Sequence, residues 1–390
     1  MAKTARINEE NLLKELPNYH DRKHLIFSWY KYQYALLCCN LGNTYNELAL
    51  MRDAKNNYNS SKKYSLQAVD MFRKINKLNS YYFSIFGTTY SNLAITYRGL
   101  ANLSKESSLL QLSLNYAKKS LLIFEEVKDC YNIARIQNSI GNIYNDLINY
   151  KNNANKKETF YSNSESYLNK SLEFYNIEKY PFEFARSHMN IGSLNLLMMC
   201  NCNNQDKIYS YYIKAEKNFE MCKEVFIKGR YENEYIALHY NLLSLYFQFM
   251  KRVGDVNQLS KIINSGDIIL EVCTVESKPN IYMSTNHILA DAYKFVIESC
   301  EFIVEEQKID LFEEAISKYE IVLGFKELNI EKKATMIVDL TRLNMTLLDM
   351  TNLRIYEEKC KYYCIELNNI IAKNPEISNL IEEYLLNQLN

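Results

Sequence analysis

The sequence contains few of the residues that turn or break a polypeptide chain. Among its 390 residues there are nine glycines and four prolines. Average usage would give roughly three times as much glycine and about five times as much proline. Sheet proteins need these residues at their many turns, so the scarcity predicts long helices joined by few tight turns.

An excess of either charge is also lacking. The 46 basic residues balance the 46 acidic residues, and the formal net charge is zero. The composition therefore has no electrostatic signature of binding to nucleic acid or to an anionic membrane. The most apolar stretch runs from Tyr235 to Met250, contains His239 and Gln248, and is too short to span a bilayer. We expect neither a nucleic-acid nor a membrane partner.

We expect neither a secretory signal nor a disulfide framework. The N-terminal stretch MAKTARINEENLLKEL is charged and has no apolar core segment. Most of the ten cysteines fall within helical apolar patterns, where a free thiol behaves as a small hydrophobe. The reducing cytosol is the compartment that fits these features, so we expect a cytoplasmic protein.

No catalytic signature is recognisable. The sequence has no phosphate-binding glycine loop, no HExxH, no GxSxG and no CxxC. Cys200 and Cys202 lie in a polar linker without a nearby histidine, which favours linker thiols over a metal site. His20, Asp21 and His24 superficially suggest a metal-dependent phosphohydrolase, but matching partners are missing. We expect no enzyme, cofactor or metal; an enzyme with an unrecognised helical active site is the weaker alternative.

What the sequence does contain is a repeat. The segments NLGNTY, NLAITY, SIGNIY, NIGSLN, NLLSLY and ILADAY recur at intervals of 52, 47, 51, 51 and 47 residues. Their third positions are Gly42, Ala94, Gly141, Gly192, Leu243 and Ala290. A small residue once per unit lets two helices approach closely, and the apolar residues three or four positions away pack around it on the same face.

A second helix is predicted after most of these segments. Each has a small residue followed four positions later by an aromatic ring, in the pairs Ala68–Phe72, Ser120–Phe124, Ser171–Tyr175, Cys222–Phe226 and Ala315–Tyr319. Pro181 and Pro279 stand just before first helices, where proline is tolerated. These patterns predict antiparallel helix pairs.

These motifs resemble the tetratricopeptide repeat family. The period of 47–52 residues exceeds the usual period of about 34, and segments such as IARIQNSIGNIY and EFARSHMNIGSL are similar to long-helix arrays associated with bacterial caspase-like (CHAT) proteases. The resemblance implies an all-α, right-handed superhelical solenoid. We expect a lead-in helix or cap over 1–27, six helix pairs over 28–326, and a degenerate final pair with a capping helix over 327–390.

The resemblance also implies a function. Arrays of this kind bind proteins or peptides in a concave groove, so we expect a scaffold or adaptor that acts as a regulatory partner of a protease or effector. The alternative is a peptide-sensing regulator that resembles the quorum-sensing receptors of low-GC Gram-positive bacteria. Against this alternative, the N-terminus has no recognisable DNA-binding helix-turn-helix and the repeat period is too long.

The candidate binding residues follow from the repeat register. Asn40, Asn92, Asn190 and Asn241 occupy the same position, two before the third residue of the motif. The resemblance implies that this asparagine ladder lines the groove and bonds to a peptide backbone, because one amide is both donor and acceptor. The alternative is structural: each asparagine bonds to a neighbouring helix.

Further positions are expected to face the same groove. They are Arg135 and Arg186, Asn43 and Asn142, and, three positions further along the motif, Asn46, Asn145 and Lys294. The two arginines at equivalent sites suggest a clamp for a carboxylate or phosphate, although Asp146 and Asp291 favour a solvated face that is neutralised by ion pairs. His188 and His239 are also equivalent, and we expect both in the core between repeats.

Overall fold

The computed structural model describes residues 19–75, 80–150, 154–300 and 304–389, which form fifteen α-helices and one short 3-10 turn and contain no strand. The predicted all-α class is confirmed. The helices are α1 (Tyr19–Met51), α2 (Ala54–Arg73), α3 (Ser80–Ser104), α4 (Ser107–Glu126), α5 (Cys130–Asn149), α6 (Ala154–Leu172), α7 (Pro181–Cys200), α8 (Gln205–Lys223), α9 (Glu232–Val253), α10 (Leu259–Val272), α11 (Pro279–Ser299), α12 (Glu305–Leu323), α13 (Ile330–Thr351), α14 (Arg354–Lys373) and α15 (Glu376–Leu389).

Part of the predicted N-terminal segment lies outside this description. Residues 1–18, with Pro17, belong to the segment 1–27 that was expected to form a lead-in helix or cap, and the side chains of His20, Asp21 and His24 are likewise not described. Within the described ranges, no helix is both long and apolar enough to cross a membrane.

The chain divides into two compact units, Met1–Leu194 and Asn195–Asn390, and the boundary falls within α7. In the first unit α1 packs on α2, α3 on α4, and α5 on α6, while α2 packs on α3 and α4 on α5. Each helix pair therefore packs against the next one along the chain, as a tandem array requires. Its core is apolar and includes Leu110, Phe124 and Ile140, all fully buried.

The second unit repeats this pattern. Helix α9 packs on α10, α11 on α12 and α13 on α14, with α10 against α11 and α12 against α13. The final helix, α15, packs on α13 and α14. The sequence pattern did not identify α10, which is only 14 residues long and follows the 3-10 turn Val256–Gln258. The right-handed sense of a superhelix stays a prediction.

Close helix contacts in the first unit share one hydrogen bond. A buried serine in one helix donates its hydroxyl to the carbonyl of a small residue in its partner helix, at 2.6–2.8 Å, in the pairs Ser61–Gly42, Ser113–Ala94, Ser120–Gly87 and Ser164–Gly141. The serine side chain is small enough for the approach, and its hydroxyl donates to a helix carbonyl, which can accept a second hydrogen bond because it has two lone pairs. The sequence pattern indicated the small residues but not this bond.

Replacing Gly141 by leucine is expected to destabilise the first unit by about 1–3 kcal/mol through overpacking. Even a Cβ atom at this position would lie 2.6 Å from Cγ of Leu168 and 3.2 Å from the backbone oxygen of Ser164. A leucine at Asn149, which is exposed in the same helix, is the control and should change the free energy of unfolding by less than about 0.5 kcal/mol. Urea denaturation compares the two. Equal midpoints for Gly141→Leu and the parent would contradict the contact.

Candidate functional site

Two members of the asparagine ladder bond to neighbouring helices. Asn92 is only 3% exposed, and its side-chain amide donates to the carbonyl of Cys39 at 3.2 Å. The amide of Asn190 donates to the side-chain oxygen of Asn138 at 2.8 Å. The expectation that Asn92 lines an open groove is wrong, because its side chain is enclosed between α1 and α3. These two contacts have the geometry of the structural alternative.

A second asparagine completes the contact between α1 and α3. Asn46, which was expected to face a groove, is also 3% exposed. Its amide donates to the carbonyl of Asn92 at 3.1 Å, and its side-chain oxygen accepts a bond from the hydroxyl of Thr96 at 2.8 Å. Buried amides that are satisfied in this way fix the register of the two helices. Asn138, which the pattern did not indicate, is also buried, and its amide donates to the hydroxyl of Ser187.

The other predicted asparagines do not converge on one site. Asn40 and Asn43 are exposed on α1, whereas Asn142 and Asn145 on α5 and Asn241 on α9 are partly buried. Their role in binding a peptide stays a prediction.

The two arginines are exposed, and the ion pairs expected with Asp146 and Asp291 do not form. Arg135 and Arg186 have no carboxylate partner among the described residues. Asp146 instead forms an ion pair with Arg98, and Asp291 accepts a hydrogen bond from the hydroxyl of Tyr319 at 2.6 Å. Sequence spacing could not show these partners, since each ion pair or bond joins residues from different helices.

The two equivalent histidines make the same local contact. The ring of His188 lies edge-on to Phe184, with centroids 4.4 Å apart, and that of His239 lies edge-on to Tyr235 at 4.6 Å. His239 is 7% exposed, and its Nδ1 atom has no hydrogen-bond partner within the described part of the chain. Burial, and then the nearby charge of Lys223, lower the pKa of His239 to about 4.

The linker around Cys200 and Cys202 has a structural partner. The guanidinium of Arg252 donates to the carbonyl oxygens of both residues, at 2.8 Å for Cys202. Both thiols are free and partly exposed. Among the described residues, no group of three or more His, Cys, Asp and Glu side chains is placed to hold a metal ion.

The second unit contains an elongated cavity of about 810 Å³, which we call the α11–α13 groove. It is lined by Phe247 and Lys251 of α9; His287, Asp291, Lys294, Phe295, Ile297 and Glu298 of α11; Lys308, Phe312 and Tyr319 of α12; Lys332, Thr335, Met336, Asp339, Arg342, Leu343 and Thr346 of α13; and Tyr384 of α15. Lys294 is the predicted binding residue that lines it. The other lining residues were missed because they come from five helices.

Two ion pairs show that α11 and α13 run in the same direction along this groove. Lys294 pairs with Asp339, and Arg342 pairs with Glu298. Lys294 and Asp339 are 45 residues apart, and Glu298 and Arg342 are 44 residues apart. A step of four residues forward along α11 therefore corresponds to a step of three residues forward along α13. At about 1.5 Å per residue, the lining residues extend about 16 Å along α11 and about 21 Å along α13.

The middle of the groove is a satisfied polar cluster. The Lys294 ammonium lies 2.8 Å from the Asp339 carboxylate, with side chains 14% and 7% exposed. The hydroxyl of Tyr384 donates to the same carboxylate at 2.7 Å, and the ammonium lies 3.4 Å from that hydroxyl. Burial, followed by the neighbouring charge of Asp339, raises the pKa of Tyr384 well above its usual range. The cluster attaches α15 to α11 and α13.

The ends of the groove are cationic. Lys251 and Lys308 lie at the end marked by the pair of Arg342 with Glu298, and Lys332 lies at the opposite end, level with His287. Among the described residues these three lysines have no carboxylate partner. The lining as a whole has five lysine and arginine side chains and three carboxylates, which leaves a formal excess of two positive charges.

The floor of the groove is apolar. Phe247, Phe312, Met336 and Leu343 line it and are each at most 5% exposed. Ligand-binding sites commonly combine an apolar floor with a few polar or charged groups. Apolar contacts contribute affinity, and the polar groups contribute specificity. The geometry therefore supports binding of an elongated, partly apolar ligand.

Comparisons with known proteins add little. No protein-family model matches the sequence, and no curated protein matches it. The chain is similar to a solved structure described as a circular tandem repeat protein with novel repeat topology and enhanced subunit contact surfaces, with 14% identity over 98% of this chain and 90% of that one. The TM-score is 0.28. The repeat architecture is shown by the packing of successive helix pairs in this chain.

Proposed function

We propose that this protein is a binding scaffold, not an enzyme, and that the α11–α13 groove receives an extended segment of another protein. The observation that carries the proposal is the shape of the groove: lining residues follow α11 for about 16 Å and α13 for about 21 Å. An extended chain advances about 3.3 Å per residue. The groove therefore matches about five or six residues of a partner.

The tandem helical architecture supports the same function. Successive helix pairs in the second unit place residues from α9, α11, α12, α13 and α15 along one surface, which is how repeat proteins build long binding surfaces. From the resemblance to tetratricopeptide arrays we further propose that the partner is a protease or an effector and that the chain acts in the cytoplasm. The peptide-sensing alternative would use the same binding event, with a free peptide as ligand.

Blocking the groove is expected to weaken peptide binding strongly. Thr335 lines the groove and is partly buried, so Thr335→Trp places an indole inside it. A random peptide library displayed on phage should yield binders to the parent, and their affinity for Thr335→Trp should fall about tenfold or more, a change of about 1.4 kcal/mol or more.

The matched control is Met345→Trp. Met345 is 55% exposed on the same helix and does not line the groove, so the affinity of the selected peptides should stay the same. Melting curves of both variants check that each is folded. If the parent enriches no peptide, or if the selected peptides bind Thr335→Trp as tightly as the parent, the proposal is wrong.

A further inference from the structure

We infer that the α11–α13 groove selects a segment with acidic residues at both ends and a large apolar residue between them. This inference rests on the proposed function and names the chemistry of the partner. It follows from where the charges lie along the groove, since a rim of one sign favours a ligand of the other and rejects a ligand of the same sign.

The first end of the groove has an excess of positive charge. Lys251 comes from the last turn of α9 and Lys308 from the first turns of α12. The nearby guanidinium of Arg342 is already engaged with Glu298. Two lysines without a carboxylate partner among the described residues therefore remain at this end. An acidic side chain of a bound segment would be their counter-ion.

The opposite end has one such charge. Lys332 is exposed near the start of α13, and the register of α11 and α13 places it level with His287. Its separation from the first end is set by the 14 residues between Lys332 and Thr346, which correspond to about 21 Å along the helix. A small anion is too short to reach both ends, whereas an extended segment of about six residues is long enough.

At the middle of the groove we expect the bound segment to have an uncharged residue. Lys294 and Asp339 neutralise each other, and Tyr384 occupies a further position on the carboxylate. A charged side chain bound here would meet no free counter-ion. The apolar floor of the groove includes Phe312 and Met336, both 3% exposed, and a large apolar side chain placed against this floor would be removed from water.

The test uses the full-length chain and peptides selected from the random library on the parent protein. Sequencing is expected to show acidic residues on both sides of a large apolar residue. A synthetic copy of an enriched peptide is then titrated by fluorescence anisotropy. Each of Lys251→Gln, Lys308→Gln and Lys332→Gln should weaken its binding by about 1.4- to 5-fold, as expected for exposed ion pairs, and the triple variant by about 3- to 100-fold.

A second triple variant controls for net charge. Lys318, Lys326 and Lys373 belong to the same unit, lie outside the groove and have no carboxylate partner among the described residues. Changing all three to glutamine removes the same charge and should leave affinity within about 1.5-fold of the parent, because these side chains do not line the groove and salt weakens interactions between exposed charges. Raising the salt concentration should weaken binding to the parent more than binding to the groove triple variant.

The outcomes separate the two proposals. Enriched peptides that are neutral or basic, and that still lose binding to Thr335→Trp, overturn the acidic specificity and leave the groove as a binding site. Equal losses in the two triple variants also overturn it, since net charge alone would then explain the effect. The absence of any enriched peptide overturns the specificity together with the proposed function.

Discussion

Replacing Lys294 by methionine is expected to lower the free energy of unfolding by about 3–5 kcal/mol, the usual cost of leaving one member of a buried ion pair without its partner. The Asp339 carboxylate is 7% exposed and would lose the Lys294 ammonium while it keeps the hydrogen bond from Tyr384. Methionine has a similar length, so the loss of charge is tested with little change in volume. Urea denaturation at neutral pH measures the effect.

Two further variants make the Lys294 experiment specific. Lys294→Met combined with Asp339→Asn removes both charges while the amide oxygen still accepts from Tyr384, and it should be more stable than the single variant by about 1 kcal/mol or more. Lys359→Met breaks a more exposed pair with Glu320, whose side chains are 34% and 38% exposed, and should cost only about 0–1 kcal/mol. Equal losses for Lys294→Met and Lys359→Met would contradict the special role of the buried pair.

Stability is expected to fall by about 3 kcal/mol between pH 6.5 and pH 4 because of His239 alone. Its pKa in the folded protein is lowered to about 4, whereas the unfolded chain has a value near 6.5. Between these values the unfolded state binds more protons than the folded state. The contribution of neutral His239 to the free energy of unfolding is therefore fully present above pH 6.5 and decreases as the pH falls towards 4. The cause is burial: the charged imidazolium loses hydration, and no described residue forms a hydrogen bond with Nδ1.

The His239→Phe variant isolates this contribution from every other titrating group. Phenylalanine keeps a ring against Tyr235 but takes up no proton, so the difference in unfolding free energy between parent and variant should change by about 3 kcal/mol from pH 7 to pH 4. Urea denaturation at a series of pH values gives this difference directly. A difference that stays constant over the range would show that His239 is not held neutral by the fold.

The helices were predictable because their determinants are local. A small residue such as Gly141 and an aromatic residue such as Phe124 recur at helical spacing in most of the repeats, and this periodicity predicts which face of a helix is buried. Proline at the first position of α7 and α11 marks a helix start for an equally local reason. The short helix α10 was missed because no comparable pattern marks it.

The asparagines show where local reasoning stops. Asn40 and Asn92 occupy the same position in the repeat, yet Asn40 is exposed whereas Asn92 is buried and bonded to the carbonyl of Cys39. Whether a polar side chain faces solvent or a neighbouring helix depends on the rotation and separation of both helices. The sequence of one helix does not contain that information.

By itself, the sequence determined the helical class, the repeat period and the faces that pack, because helix formation and amphipathic periodicity depend on residues only a few positions apart. Tertiary structure alone decided where the α11–α13 groove lies. Its members run from Phe247 to Tyr384, and the free energy of a buried pair such as Lys294 with Asp339 depends on distance and desolvation. Residues close in the chain determine neither the distance between these two charges nor their desolvation. Only the packing of the helices brings the charges together.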